Sequence, residues 1–376
     1  MHPWAGLPAR QSLYSKLADH TGWHIALLAA KTWRDEYGTE IKAVAGQGMT
    51  TELRHSPIAL KGNIPLHFFI GRLRRHVRDF DPDLVYIYHE PYAAATFQML
   101  RAVRALSDIP VGVRSAQNLL KRYPIPFRQS EAYVYRESDF VVTVSDNVAD
   151  VMRRKGYRKP IEVIPMPVDL AVFRPSHTGA HEAKNTLRVG FVGRLVPEKG
   201  ADTAIKAIAD VQGIDLVLDI IGSGPDEPRL RTIADTLGVH DRINWRGALD
   251  RTAVASAYRE LDLLVVPSRK TARWSEQFGR VVIEAAAAEV PAIVTRSGEL
   301  PSLIGQIGAG WTVGESDHEE LARMLVHLDT DRLALHDAAV RARQGAEARF
   351  SDEAIVVSLA AALSAAAVRG RVARHD

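Results

Sequence analysis

The sequence predicts an α/β protein made of two tandem domains, each a parallel β-sheet covered by helices. Its 376 residues exceed the usual size of a single hydrophobic core. Short apolar runs rich in Val and Ile alternate with amphipathic stretches, and this alternation occurs twice, on either side of a polar segment. With 46% apolar and 25% charged residues, the composition is typical of a globular protein.

The first alternating series predicts an N-terminal domain at residues 1–168. Its Val- and Ile-rich runs predict strands at 23–30, 84–88, 110–113, 140–144 and 161–164. The amphipathic stretches between them predict helices at 66–79, 93–106 and 128–137. Such alternation is typical of a parallel sheet with helices packed against it.

A polar stretch with Pro and Gly and no period follows at 169–186 and predicts a linker between the domains. The second series predicts a C-terminal domain at 187–348, with strands at 187–192, 216–221, 243–245, 263–266 and 292–295. The segment 349–376 has apolar residues at helical spacing, which predicts an amphipathic helix and a tail. Because the apolar stripe of this helix needs a partner, we expect it to cross back onto the first domain.

Cysteine is absent, which excludes disulfides, thiolate metal sites and cysteine nucleophiles and favours a cytoplasmic chain. No run of about 18 apolar residues occurs, so the sequence predicts no membrane-spanning helix. The first thirty residues also lack the unbroken apolar stretch of a signal peptide.

The charge is unevenly distributed. Residues 1–168 carry 23 Lys and Arg against 16 Asp and Glu, a net charge of +7, whereas residues 169–376 carry 25 against 29, a net −4. The excess is densest at Arg72, Arg74, Arg75 and Arg78, and such clusters attract nucleic acid, anionic lipid or anionic substrates. A solvated helix face is the interpretation we favour. We predict no nucleic-acid partner and, at most, peripheral contact of this basic domain with the inner face of a membrane.

Two cations follow the first strand of the second series. That strand ends in a glycine turn at Gly193, and a helical stretch begins after residue 200. Because ligands bind at the carboxyl ends of parallel strands, Arg194 and Lys199 would lie at the mouth of a site. A guanidinium fork and a compact ammonium group suit a diphosphate, although two ordinary surface charges would give the same pattern.

A second glycine turn, at Gly222 and Gly224, ends the strand at 216–221. The dinucleotide-binding fingerprint would need a third glycine at position 227, where Glu227 stands, so a nicotinamide dehydrogenase is disfavoured. The glycines are better interpreted as a tight turn that keeps side chains out of the site.

The strongest candidate segment combines a strand at 263–266 with an alanine-rich helix. If that helix begins near Gly279, its free N–H groups can bind phosphate oxygens. Glu276 lies just before the helix, and Glu284 lies inside it, about 7–8 Å from the helix start along the axis. Ionised carboxylates accept hydrogen bonds from sugar and ribose hydroxyls, so this spacing suits a clamp around a sugar nucleotide.

In this order and spacing, these motifs resemble the family 4 retaining glycosyltransferases (GT4, glycosyl transferases group 1), whose GT-B fold has two Rossmann-like domains with a cleft between them. The resemblance covers nearly all of residues 160–345. It rests on 190–200, 221–225, Asn244-Trp245-Arg246-Gly247, Pro267-Ser268 and the E-x7-E segment from Glu276 to Glu284. Looser similarities in the first half are His89-Glu90-Pro91, Gln117-Asn118 with Tyr123-Pro124, and 164–169.

The resemblance implies that the C-terminal domain holds a nucleotide diphosphate sugar of the UDP or GDP type and that the N-terminal domain holds a hydroxyl acceptor. Arg194 and Lys199 match the family's diphosphate cations. Glu284 matches its ribose ligand, and Glu276 the residue at the donor sugar. The other implied donor-binding residues are Gly193, Gly222, Gly224, Arg246 near the base, Gln277, and Phe278, Gly279, Arg280 and Val281, whose backbone N–H groups would cradle sugar and phosphate.

Family members keep the anomeric configuration, and in the usual proposal the leaving phosphate itself deprotonates the acceptor. The resemblance therefore implies catalysis by Arg194, Lys199 and Glu276 through stabilisation of charge, with no cofactor, metal or protein base. Asp81-Pro82-Asp83 precedes a strand, so we interpret it as a helix-to-strand turn and not as a metal-binding D-x-D motif. The 14 histidines show no H-E-x-x-H spacing.

The sequence departs from the family at two places in the first domain. Many members have a His after the strand at 110–113, where this chain has Ser115 and Ala116 followed by Gln117 and Asn118. The candidates for acceptor contact are therefore Gln117 and Asn118, together with His89 and Glu90, which follow another strand; a structural role for His89 is equally compatible. Members also open with a strand, whereas this chain opens on a loop-like stretch, so we expect the first sheet to lack its first strand.

Three hypotheses follow. The complete set of Arg194, Lys199, Glu276 and Glu284 favours a retaining glycosyltransferase with a polysaccharide, glycolipid or natural-product acceptor. The two departures favour a nucleotide-sugar-binding protein without turnover. A nucleotide-sugar epimerase with the same double architecture is the third, and the E-x7-E segment argues against it.

Overall fold

The computed structural model describes residues 5–34, 39–175 and 186–372. It divides into two compact units, Met1–Pro165 with Ile355–Asp376, and Met166–Ala354. Most of the linker expected at 169–186 falls at 176–185, outside the described residues. The described part of that segment belongs to the second unit, where Phe173 is buried and its carbonyl accepts a hydrogen bond from Arg343 at 3.1 Å.

Parallel strands form the centre of the first unit. Its helices up to residue 165 are α1 (Pro8–Thr21), α2 (Leu73–Phe80), α3 (Ala94–Arg104), α4 (Phe127–Glu137) and α5 (Asp146–Arg154). Its strands are β1 (Ala26–Ala30), β2 (Thr32–Arg34), β3 (Glu40–Lys42), β4 (Glu52–Ser56), β5 (Ile58–Ala59), β6 (Phe68–Phe69), β7 (Val85–Ile87), β8 (Val111–Ser115), β9 (Phe140–Thr143) and β10 (Ile161–Val163). Within the described residues, one parallel sheet has the order β10-β9-β8-β7. The central strands β8 and β9 are buried on both faces, which explains the apolar residues Val111, Val113 and 140–142.

β1 lies in the same layer as this sheet but does not pair with it. β1 pairs in parallel with β4, while β2 with β3 and β5 with β6 form short antiparallel ladders. Leu28 joins the hydrophobic cluster that contains Ile87 of β7, and Leu27 joins the cluster on the other face that contains Phe140 of β9. A cavity of about 710 Å³ is lined by residues of both β1 and β7. The expectation that the first sheet lacks its first strand stays a prediction.

The C-terminal helix α13 (Asp352–Val372) returns to the first unit. Its residues Ile355, Leu359 and Leu363 are buried in a cluster with Tyr14 and Leu17 of α1, so the predicted crossing back is confirmed. Over Asp352–Gly370, this is the one helix in the described part of the chain that is long and apolar enough to cross a membrane, whereas the sequence predicted none. One side of this helix packs in the core of the first unit, while Val357 and Val368 are exposed.

The second unit has one parallel sheet within the described residues. Its strands are β11 (Leu187–Val192), β12 (Leu216–Ile221), β13 (Ile243–Gly247), β14 (Leu263–Val266), β15 (Ala292–Thr295) and β16 (Trp311–Val313), in the order β13-β12-β11-β14-β15-β16. Its helices are α6 (Ala201–Asp210), α7 (Glu227–Thr236), α8 (Arg251–Tyr258), α9 (Arg280–Ala287), α10 (Leu300–Ile307), α11 (His318–Thr330) and α12 (Arg332–Phe350). The strand order reverses between β11 and β14, which makes their carboxyl ends the switch point of the sheet.

The helix predicted at 66–79 is wrong over its first part. The structure places β6 at Phe68–Phe69, paired with β5, and begins α2 only at Leu73. Gln98 of α3 holds the backbone of Phe69 with two hydrogen bonds, of 2.8 and 2.7 Å. These long-range bonds replace the bonds that a helix would have formed, and such a contact leaves no period in the sequence.

Candidate functional site

Three loops meet at the switch point of the second sheet, after β11, β12 and β14. Gly222, just after β12, has a φ of 145°, and a Cβ there would lie 1.9 Å from the carbonyl oxygen of Gly193. A Cβ at Gly224 would lie 2.2 Å from the carbonyl oxygen of Leu195. The loop after β12 therefore packs directly on the loop after β11, and side chains are excluded between them.

Lys199 and Glu276 meet at this edge of the sheet. Lys199 ends a short 3-10 turn after β11, and its Nζ donates a hydrogen bond of 2.6 Å to Oε2 of Glu276. The hydroxyl of Ser268, which is fully buried just after β14, donates to the same oxygen at 3.1 Å. The ammonium group also lies 4.8 Å from the ring centroid of Trp274. A cation and a carboxylate are thus held together where a ligand would enter.

The backbone of Glu276 is held by the turn after β15. The N–H of Glu299 donates to the carbonyl of Glu276 at 3.2 Å, and a Cβ at Gly298 would lie 2.4 Å from that oxygen. Sequence reasoning gave no site role to Gly298, Ser268 or Trp274. The signal that could have found Ser268 and Gly298 is their position directly after two buried strands of the series.

Helix α9 points its amino end into this region. Gly279 precedes the helix in the left-handed conformation, with φ of 86°, and no side chain caps the helix in the described residues. The first N–H groups of α9 therefore have no side-chain acceptor, as the sequence predicted. Phe278 is buried with its ring 6.1 Å from that of Phe350, while Gln277 and Arg280 are exposed.

Glu284 lies on α9 among buried residues, as expected from its apolar neighbours. Its side chain is 17% exposed, and its Oε1 is 4.0 Å from Nε of Arg280. The hydroxyl of Tyr258 donates to the carbonyl of Val281 at 3.2 Å. Burial, and then the nearby Glu284 carboxylate, raise the pKa of Tyr258, which stays a neutral donor.

Two arginines predicted for the donor differ in their surroundings. Arg194 is exposed, and within the described residues its guanidinium makes no hydrogen bond or ion pair. Arg246 donates to both carboxylate oxygens of Glu260, at 2.9 and 3.3 Å, and lies 3.9 Å from Asp219. Hydrogen bonding to Glu260 raises the pKa of Arg246. Arg194 is available to an anion, whereas the side chain of Arg246 is already paired.

In the first unit, Glu90 links the ends of β7 and β8. Its two carboxylate oxygens accept hydrogen bonds from the hydroxyl of Ser115 at 2.9 Å and from the N–H of Ala116 at 2.8 Å. Burial raises the pKa of Glu90, and these two bonds oppose the rise. Gln117 accepts a hydrogen bond from the N–H of Leu119 at 3.0 Å.

His89 is buried beside this carboxylate, and its Nδ1 accepts a hydrogen bond from the N–H of Glu90 at 2.7 Å. Its ring stacks on that of His67 with centroids 4.8 Å apart. Burial, and then the charge of His67, lower the pKa of His89 to about 3. The imidazole is therefore neutral near neutral pH. The structure brings His89 and Glu90 together with Ser115 and Ala116, and buries Asn118 in the loop that follows.

No cluster of three or more His, Asp or Glu side chains that could hold a metal ion occurs in the described parts of the chain. Asp81 ends α2 in the left-handed conformation, with its N–H bonded to the carbonyl of Val77. The interpretation of 81–83 as a helix-to-strand turn is confirmed, since β7 begins at Val85.

The chain thus has two parallel-sheet units of the Rossmann-like type. The second unit has a cation, a carboxylate and a helix amino end at the switch point of its sheet. The model of the glycosyl transferases group 1 matches residues 175–349, and that of glycosyltransferase family 4 matches residues 15–172. The chain belongs to the family 4 glycosyltransferases.

Relatives of similar sequence are also named glycosyltransferases. The chain is 30% identical over 258 residues to WcaL of Escherichia coli, named as a colanic acid biosynthesis glycosyltransferase, with 67% of this chain covered. It is 32% identical over 267 residues to the D-inositol 3-phosphate glycosyltransferase of Segniliparus rotundus, with 66% of this chain covered. The matches span 62% and 57% of those relatives.

Solved structures confirm the GT-B fold. The sucrose-phosphate synthase of Thermosynechococcus elongatus superposes with a TM-score of 0.71 at 19% identity, covering 95% of this chain and 92% of that one. The Anabaena protein HepE, in complex with UDP, gives 0.74 at 17% identity, covering 97% and 98%.

Proposed function

We propose that this protein transfers a sugar from a nucleotide diphosphate sugar to a hydroxyl acceptor, with retention of configuration and without a metal. The observation that carries the proposal is the Lys199–Glu276 pair, which Ser268 supports at the switch point beside the amino end of α9. A diphosphate needs cations and N–H donors, and a sugar needs a carboxylate acceptor. This edge of the sheet supplies all three.

The diphosphate is assigned to Arg194, Lys199 and the first N–H groups of α9. An ammonium group has three donors, so Lys199 can keep Glu276 and still donate to a phosphate oxygen. As the bond to the sugar breaks, negative charge builds on the departing diphosphate. Cations that are already positioned stabilise that charge without reorganising, which is the electrostatic basis of the rate enhancement.

Glu276 and Glu284 are proposed to bind different parts of the donor. Glu276, fixed at its side chain and at its backbone, is proposed to accept a hydrogen bond from a hydroxyl of the donor sugar. Glu284, further along α9, is assigned to the ribose. The base is placed near the backbone of 246–248, because the side chain of Arg246 is paired with Glu260. HepE has been solved in complex with UDP and with UDP-glucose, which makes UDP-sugars the first donors to test.

The acceptor is proposed to bind the first unit near Glu90, Gln117 and Asn118. The neutral His89 and the buried Glu90 shape this region by tying the ends of β7 and β8 together. WcaL is named for polysaccharide biosynthesis, which favours a glycan among the polysaccharide, glycolipid and natural-product acceptors. We further propose that the protein acts in the cytoplasm, at the inner face of the membrane.

The test is incubation of the purified protein with UDP-, GDP- and dTDP-sugars, with and without glycan acceptors. Transfer or donor hydrolysis that Lys199→Ala abolishes supports the proposal. Arg323→Ala is the control, because Arg323 is an exposed cation on α11. Turnover that survives Lys199→Ala contradicts it.

The same incubation separates the alternatives. A nucleotide-sugar-binding protein, favoured by the Ser115-Ala116 sequence and the gap between β1 and β7, would bind a donor without any turnover. An epimerase would release a changed sugar nucleotide with no acceptor present. Products are therefore identified by mass and by sugar analysis rather than by release of nucleotide alone.

A further inference from the structure

The turn that carries Lys199 is held by one residue of the neighbouring loop. Arg269 follows Ser268 in the loop after β14, and its N–H donates a hydrogen bond of 2.9 Å to the carbonyl of Glu198. Its guanidinium pairs with the carboxylate of Asp202, which lies in the first turn of α6. Lys199 thus lies between two positions, 198 and 202, that Arg269 holds.

Asp202 joins this contact to a third segment. Its side chain is 8% exposed, so its charge requires partners. Besides Arg269, it lies 3.8 Å from Arg229 of α7. The guanidinium of Arg229 in turn donates two hydrogen bonds, both of 2.7 Å, to Asp226 at the start of that helix. One buried carboxylate therefore links the segments that follow β11, β12 and β14.

Backbone packing leaves little room for the turn to move. Gly200 has a φ of 72°, and a Cβ there would lie 2.0 Å from the carbonyl oxygen of Pro267. The loop after Pro267 folds back on itself, because the N–H of Thr271 donates to the carbonyl of Trp274 at 2.8 Å. The ring centroid of Trp274 lies 4.8 Å from Nζ of Lys199. The position of this ammonium group therefore depends on how the turn and the loop are held together.

We propose that Arg269 and Asp202 are positioning residues that hold the ammonium group of Lys199 where it meets the diphosphate of the donor. This role rests on the proposed contact between Lys199 and the diphosphate. The pair itself has no net charge, so its contribution to an anion site is one of geometry rather than of attraction. A cation that is already in place stabilises developing charge without reorganising, and a displacement of about 1 Å can lower the rate on the order of a hundredfold.

Two substitutions with opposite effects on charge test the proposal. Arg269→Met removes a positive charge and Asp202→Asn removes a negative one. If the pair positions Lys199, both variants should bind UDP about tenfold more weakly than the wild type, measured by isothermal titration calorimetry. GDP replaces UDP if the wild type binds only GDP. If the two charges act through attraction alone, Asp202→Asn should instead bind more tightly than the wild type, and that result would overturn the proposal.

A second comparison shows whether the pair acts through Lys199. In a Lys199→Ala background, which itself weakens UDP binding, adding Arg269→Met should change the affinity by less than about twofold, because no ammonium group is left to position. A further loss of about tenfold would mean that Arg269 acts independently of Lys199, and the proposal would be wrong. Arg269→Lys keeps the charge and should retain part of the affinity that Arg269→Met loses.

Arg104→Met is the matched control. The guanidinium of Arg104 donates to the carboxylate of Asp139 at 2.6 Å and to the carbonyl of Glu137 at 2.7 Å, and its side chain is buried to a similar degree as that of Arg269. Because Arg104 belongs to the first unit, its variant should lose stability in thermal unfolding without losing affinity for UDP. A loss of UDP affinity equal to that of Arg269→Met would contradict a specific positioning role.

Donor turnover, measured in parallel, separates this role from the proposed reaction. The expected pattern of UDP affinities without any turnover would support positioning and contradict the transfer of a sugar. Turnover in a protein whose UDP affinity and kcat are unaffected by Arg269→Met and Asp202→Asn would contradict positioning alone. A wild type that binds neither UDP nor GDP would contradict both.

Discussion

Replacing Glu276 by Gln removes the charge of the central carboxylate while keeping its size. In the structure this carboxylate accepts hydrogen bonds from Lys199 at 2.6 Å and from Ser268 at 3.1 Å, and the side chains of Lys199 and Glu276 are 26% and 11% exposed. A hydrogen bond to a charged group contributes about 1.5–3 kcal/mol. Because a quarter of the lysine still contacts water, we expect the second unit to lose about 1–2 kcal/mol, which lowers its Tm by about 4 °C.

The effect on the reaction should exceed the effect on stability. Without its carboxylate partner, Lys199 is less fixed, and the donor sugar loses a charged acceptor, so we expect kcat to fall on the order of a hundredfold. KM for the donor should change less, because Arg194, α9 and Glu284 remain. Steady-state kinetics with the donor that is turned over, and thermal unfolding with and without UDP, measure the two effects.

A double-mutant cycle isolates the pair. Lys199→Ala, Glu276→Gln and the double variant should show a coupling free energy above about 1 kcal/mol, because the two side chains are in direct contact. The cycle is measured on the free energy of unfolding, and strictly additive effects on stability would refute the reasoning. An unchanged kcat in Glu276→Gln would remove this residue from the proposed site.

Three other predictions concern the nucleotide, the loop backbone and the histidine pair. Glu284→Gln should raise the donor KM about tenfold with little change in kcat, measured by the same kinetics, and an effect equal to that of Glu276→Gln would contradict the division of roles. Gly222→Ala should destabilise the second unit by about 2–4 kcal/mol, because the new Cβ would meet the carbonyl of Gly193. The control is Gly213→Ala, which is also at positive φ but has no atom near the new Cβ, and it should destabilise the protein by only about 1 kcal/mol. Chemical denaturation measures both effects. Because the pKa of His89 is lowered from 6.5 to about 3, the first unit should lose stability as the pH falls below about 6.5. In pH-dependent unfolding, the His89→Asn variant should lose less stability over that range than the wild type. Identical profiles for the two proteins would argue against a buried neutral imidazole.

The sequence predicted most strands of the two parallel sheets, together with α3, α4 and the C-terminal helix, but it did not predict helices α1, α11 and α12. Buried parallel strands such as β9 and β14 are almost wholly apolar, so their composition alone predicts them. Several strands were missed, among them β6 and β16, which have two and three residues and therefore carry no period, and the five-residue β4. Pairing with a distant segment decided those strands.

The sequence predicted which residues form the candidate site but not which of them contact one another. Arg194, Lys199, Glu276 and the amino end of α9 were expected at the carboxyl ends of strands, and the second sheet places them there. Spacing could not reveal that Lys199 bonds to a carboxylate 77 positions away or that Ser268 supports it. Nor could it reveal that Arg246 pairs with Glu260.

By itself, the sequence determined two tandem parallel-sheet units, the glycine turns after their strands and the amphipathic C-terminal helix. These features depend on the local periodicity of apolar residues and on the backbone conformations that glycine allows. Tertiary structure alone decided the partners of the charged groups, the stacking of His67 on His89 and the open space between β1 and β7. These features depend on packing between segments far apart in the chain, where burial and hydrogen-bonding geometry, rather than spacing, determine which groups meet.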